Sequence, residues 1–162
     1  MVKYLTYMND AMRKKYWSKK AHQIRSDRKI KLIIQKQLLD MAKYEFEDKT
    51  WIAEKNQTIS YEDIIEQYGT LSDYERIVEF YFCKDLLKSN CRDSIGIIVY
   101  EFEQLLNKLG FGNKFVLTVI GQCGKFENLN VRLQLYRDSE INLNQIDSFD
   151  EPILVEILEF DN

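Results

Sequence analysis

Apolar and polar positions alternate with two different periods along this chain, and the change between them falls near residue 112. Before it, apolar residues recur every three or four positions. Ile30, Ile33, Ile34, Leu38, Met41 and Tyr44 predict a helix over 28–47. Ile95, Ile98, Phe102, Leu105, Leu106 and Leu109 predict another in "DSIGIIVYEFEQLLNKLG", capped by Asp93 or Ser94 and stopped by Gly110. Between them, "SDYERIVEFYFCKDLLKS" opens on Ser72 with Glu75 three positions on, the pattern of a capping box, and predicts a central helix apolar around most of its circumference. "ISYEDIIEQYG" reads as a short helix capped by Ser60 and closed at Gly69, and residues 10–24 as a helix with a thin apolar stripe.

After Gly112 the period shortens to two. "KFVLTVIG" (114–121), "NVRLQLYR" (130–137) and "PILVEILEF" (152–160) have the β-branched, large apolar character of strands. In the second, Val131, Leu133 and Leu135 alternate with Arg132, Gln134 and Tyr136, so it is half-buried. In the third, if Val155 and Ile157 face the core, Leu154, Glu156 and Leu158 share a face that needs a cover. Helices first and strands afterwards predict an α+β fold: four to five N-terminal helices (about 8–110) packed on a small C-terminal antiparallel sheet of about three strands (about 114–160).

At 162 residues, with 45% hydrophobic and 30% charged side chains, the chain fits one domain, 1–162, that buries its core without metal or disulfides. It has no apolar run of the roughly 18 residues that cross a bilayer, and "MVKYLTYMND" lacks a signal peptide's apolar core. Cys83, Cys91 and Cys123 have no metal-ligand spacing and read as free thiols of a reducing cytoplasm, Cys83 buried.

Charge changes the picture more. The net charge is −3, yet residues 1–36 hold eleven Lys and Arg against two Asp, so the other 126 residues carry −12. Nine Lys and Arg crowd into "MRKKYWSKKAHQIRSDRKIK" (12–31) beside Tyr16 and Trp17. Cations interleaved with aromatic rings suit a single nucleic-acid strand, which would meet Arg13, Lys14, Lys15, Tyr16, Trp17, Lys19 and Lys20. On a helix those cations spread over a wide arc, the pattern of a solvated face docked on the acidic remainder. By contrast, residues 138–161 contain eight acids and no Lys or Arg.

Enzyme signatures are missing. The single histidine, His22, sits in the basic run; no Cys/His cluster has zinc spacing; no G-x-S-x-G occurs. "LGFGNKF" has two glycines but follows a helix, the reverse of a dinucleotide loop. The carboxylate pairs Glu101/Glu103 and Asp150/Glu151 read as solvated surface. No catalytic residue, metal or cofactor is therefore expected.

A small acidic α+β chain without active-site motifs, carrying the acidic segment "DSEINLNQIDSFDEPILVEILEFD" (138–161), resembles at class level the immunity proteins of bacterial contact-dependent growth inhibition systems. The resemblance implies a cytoplasmic, stoichiometric inhibitor that binds a cognate toxin domain, often a basic nuclease. Its expected contact surface is Asp138, Glu140, Asp147, Asp150, Glu151 and Glu156, with Tyr136 and Phe149 as aromatic anchors. The second reading is a nucleic-acid-binding accessory or regulatory protein acting through residues 12–31.

Overall fold

The computed structural model describes residues 2–15, 27–83, 91–121, 128–141 and 143–161. The elements run β1 (Val2–Met8), α1 (Asp10–Lys15), α2 (Arg28–Leu39), β2 (Met41–Phe46), β3 (Lys49–Glu54), α3 (Tyr61–Tyr68), α4 (Leu71–Glu75), β4 (Glu79–Phe82), α5 (Cys91–Leu109), β5 (Lys114–Gly121), β6 (Leu129–Leu135) and β7 (Ile153–Phe160). The fold is α+β, but its layout differs from helices stacked on a C-terminal three-stranded sheet. A five-stranded antiparallel sheet has the order β1-β7-β5-β6-β4, and β2 and β3 form a separate two-stranded sheet. The first strand of the chain pairs with the last, Val2 opposite Phe160 and Met8 opposite Leu154.

The expected helices 28–47 and 72–89 are each cut short. The α2 helix starts where Asp27 caps it by accepting the N–H groups of Lys29 and Ile30, and it stops at Asp40. Met41–Phe46 then turns back through Glu47–Asp48 and pairs with β3, Phe46 opposite Lys49. Glu47 takes φ of 53°, a left-handed conformation that non-glycine residues seldom adopt, so this hairpin carries no Asn-Gly or Asp-Gly signature. Downstream, Thr70 rather than Ser72 caps α4, its hydroxyl accepting from the Asp73 N–H at 3.0 Å. The helix ends at Glu75, and Phe80 and Phe82 then alternate with the exposed Glu79 and Tyr81 on β4. The expected capping-box carboxylate, Glu75, is instead buried and reaches other partners.

The remaining elements follow the sequence pattern closely. In α3, Ser60 accepts from the Asp63 N–H and Gly69 terminates the helix at φ 86°. The predicted stripe of α5 is buried from Ile95 to Leu106, with Leu109 partly covered. Strands β5, β6 and β7 lie within two residues of their expected bounds. Helix 10–24 is described only as α1; Tyr16, Trp17, Lys19, Lys20 and His22 lie outside the described residues, as does Cys123. Cys83 is a free thiol, half-buried rather than buried.

The main core lies on one face of the five-stranded sheet. Ile30, Ile34 and Leu38 of α2 and Ile98, Phe102 and Leu106 of α5 pack against Phe80, Leu117, Val131, Leu133 and Leu158. Phe80 meets Phe102 edge-on at 4.9 Å. A smaller cluster, Trp51, Ala53, Ile64, Leu71 and Tyr74, joins the β2–β3 hairpin to α3 and α4. On β7, Leu154, Leu158 and Phe160 face the main core, while Val155 and Ile157 face the opposite side. Both faces of β7 are covered by the protein's own chain, so alternation alone does not say which face meets the main core.

Candidate functional site

Val116, Ile153, Val155 and Ile157 form the apolar floor on the sheet's outer face. The chain between β6 and β7 supplies the cover. It runs back across that face as a strap with two 3-10 turns, Asp138–Glu140 and Leu143–Ser148, and lays Ile141, Leu143 and Ile146 on the floor. Most of the residues expected at the contact surface sit on this strap. Asp138, Asp147, Asp150 and Glu151 are exposed, and Phe149 keeps 50% of its surface in solvent although it is a large apolar side chain.

The strap is held at both ends. At the first, Arg137 reaches inward: Nη1 donates to Ser72 Oγ at 3.0 Å and Glu75 Oε1 at 2.5 Å, and Nη2 to the Thr50 carbonyl at 2.7 Å. Glu75 also accepts the backbone N–H groups of Ile52 (2.9 Å) and Leu135 (3.2 Å). One carboxylate thus joins the β2–β3 hairpin, the main sheet and the strap. Burial pushes the Glu75 carboxyl up, and Arg137 with the two N–H donors pulls against it. Glu140 is drawn into the same cluster, 3.7 Å from Arg137 Nε and accepting from the Ser72 hydroxyl.

At the other end stands Asn9, 2% exposed, just beyond β1. Its amide nitrogen donates to the carbonyls of Ile146 (3.1 Å), Phe149 (3.4 Å) and Glu151 (2.7 Å). Its side-chain oxygen accepts the N–H groups of Met12 and Ile153, both at 3.0 Å. The first interaction caps α1 and the others fix the backbone on either side of Asp150.

The structure therefore brings Asp138, Asp147, Phe149, Asp150 and Glu151 together on one strap and sets three of the expected residues apart from that open surface, Glu140 in the Arg137 cluster and two others. Tyr136 is half-buried beneath Lys114, whose Nζ lies 3.9 Å from the ring centroid, and its hydroxyl donates to Asp138. Glu156 points the opposite way. It is 5% exposed, on the helix-covered face, and accepts from the Thr6 hydroxyl at 2.7 Å. Burial, together with repulsion from Glu103 on α5, pushes its carboxyl up to about 7. Of the basic run, Arg13 is exposed and paired with Asp10 at 2.8 Å, and Lys14 is exposed on the same short helix.

Sequence reading missed Asn9, Glu75 and Arg137 as the fasteners of the strap. Asn9 lies 137 residues from Ile146 and Glu75 lies 62 from Arg137, so no local pattern could connect them. Among the described residues no group of His, Cys, Asp and Glu could hold a metal ion, and no helix is long and apolar enough to cross a membrane. No protein-family model matches the chain, and comparisons with curated proteins and with solved structures return no match.

Proposed function

We propose that this chain is a non-enzymatic binding protein that neutralises a cognate toxin domain, docking it on the outer surface of the strap. The observation that carries the reading is Phe149, half-exposed among the exposed Asp147, Asp150 and Glu151 on backbone that Asn9 holds by three hydrogen bonds. A large aromatic ring on preorganised backbone costs little ordering entropy on binding and suits the centre of an interface. Carboxylates around it steer a basic partner and set its register. Asp138 extends the acidic rim, with Tyr136 beneath it; Glu140 and Glu156 hold the fold instead of contacting the partner.

The experiment purifies the tagged chain from its own cell, identifies the captured domain and measures its affinity for wild type, Phe149→Ala and Asp147→Lys/Asp150→Lys/Glu151→Lys. The proposal expects a basic toxin domain, a loss of about 2 kcal/mol or more for Phe149→Ala, and loss of protection in the triple variant. Full affinity and full protection in both variants would remove the strap from the interface.

A further inference from the structure

Beneath the strap, between Ile141–Phe149 above and β5, β6 and β7 below, lies a cleft of about 350 Å³. Its lining combines apolar side chains, Val116, Ile120, Val155, Ile146 and Phe149 among them, with polar ones that include Thr118 and Gln145. Into this space projects Gln134, which is 3% exposed and whose side-chain amide makes no hydrogen bond to any described residue. The amide faces the cleft rather than being sealed from it, and a polar group placed beside apolar side chains is how small-molecule sites fix orientation.

Three of the charged side chains at the cleft are already matched. Arg132 donates through Nε and Nη2 to Glu79 at 3.1 and 2.7 Å, Arg76 is paired with Asp73, and Glu140 is paired with Arg137. Glu151, exposed at the rim, repels an anion. The carboxylates offset the charge of the Arg76 and Arg132 guanidiniums, so the lining favours a neutral occupant.

We propose that this cleft is a small-molecule site for a neutral, largely apolar ligand that presents a carboxamide-type edge to Gln134, its NH group to the Gln134 oxygen and its carbonyl to the Gln134 NH2. The cleft shares Phe149 and Glu151 with the strap's outer surface, but its occupant is a small molecule and the assignment goes beyond the toxin-binding reading. A volume near 350 Å³ is at the small end of ligand pockets, which limits the occupant to a single ring or a short chain. The reciprocal amide pair would satisfy Gln134, and the ring would lie along the apolar part of the lining.

The test uses the 15N-labelled full chain titrated with benzamide, and with benzoate and ethylbenzene as matched controls, followed by amide NMR shifts. Benzamide is expected to give saturable shifts in β5, β6 and the Gln134 side-chain NH2 at millimolar concentration, and benzoate to bind at least tenfold more weakly. Gln134→Leu is expected to weaken benzamide about tenfold, the loss of one satisfied amide pair, and to bind ethylbenzene better than wild type does. Val155→Phe fills the cleft from its floor and abolishes binding of all three. The amide spectrum of each variant reports its folding, and the wild-type Gln134 NH2 signal tests the contact without any substitution. Absence of saturable shifts in wild type, benzoate binding as tightly as benzamide, or unchanged benzamide affinity in a folded Gln134→Leu each overturns the assignment.

Discussion

Replacing Glu156 with Gln should make the protein more stable at pH 8 while leaving it almost unchanged at pH 5. Glu156 is enclosed by β1, β5 and α5, where Thr6 donates to it, Leu117 lies opposite on β5 and the Glu103 carboxylate is the facing charge. Its folded-state pKa is about 7 against an ordinary value of 4.5. Between those values the folded chain keeps a proton that the unfolded chain has released, so stability falls as pH rises through this window and the full cost is reached above pH 7. A shift of this size corresponds to about 3 kcal/mol at roughly 1.4 kcal/mol per pH unit. Gln preserves the volume and the acceptor for Thr6, adds an N–H donor on the side of Glu103, and cannot ionise. Urea unfolding of both proteins at pH 5 and pH 8 isolates the effect, because titrating groups that do not touch Glu156, Glu75 among them, are common to both and cancel in the difference. The expected result is a variant within about 0.5 kcal/mol of wild type at pH 5 and about 2–3 kcal/mol more stable at pH 8. A difference that is the same at both pH values would refute the buried, proton-holding carboxyl.

Three further outcomes follow from the same contacts. Asn9→Ala removes the cap of α1 and the amide that donates to three strap carbonyls; it should cost about 3 kcal/mol and lower Tm by roughly 6–12 °C in calorimetry. Arg137→Met leaves Glu75 buried without its counter-charge and should cost about 3–5 kcal/mol, whereas Glu75→Leu/Arg137→Met should cost less than the sum of the single changes, as chemical denaturation of the full cycle would show. Ser60→Ala should destabilise α3 by about 1 kcal/mol, visible as a lower urea midpoint with an unchanged slope.

Elements that bury one continuous face were legible in the chain. The nineteen residues of α5 repeat their apolar stripe five times, and β6 alternates without interruption, so period alone identified them. The β2–β3 hairpin was hidden because Glu47 supplies its left-handed turn residue in place of glycine or asparagine. Strand β4 was absorbed into a helix because Tyr81 adds an exposed aromatic between Phe80 and Phe82 and erases the alternation. Strand β1 owes its place to β7, some 150 positions away, a pairing that local periodicity does not encode.

The candidate surface was legible as composition and not as geometry. Asp138, Asp147, Asp150, Glu151 and Phe149 stand together because one connection carries them, and adjacency in sequence became adjacency on the strap. Glu156 was grouped with them because a strand covered on both faces gives no parity signal to separate an inward acid from an outward one. The residues that hold the surface in place, Asn9, Glu75 and Arg137, act through tertiary contacts alone.

The proposed acidic docking surface on the strap is tested most directly by the association rate of the partner domain that the tagged chain captures. Asp147→Lys, Asp150→Lys and Glu151→Lys together move the net charge from −3 to +3, each reversal adding two. Stopped-flow association at low salt should slow by at least about tenfold in the triple variant, and the difference should shrink as ionic strength rises toward about 1 M. An association rate that is the same for both proteins across the salt series would contradict the account.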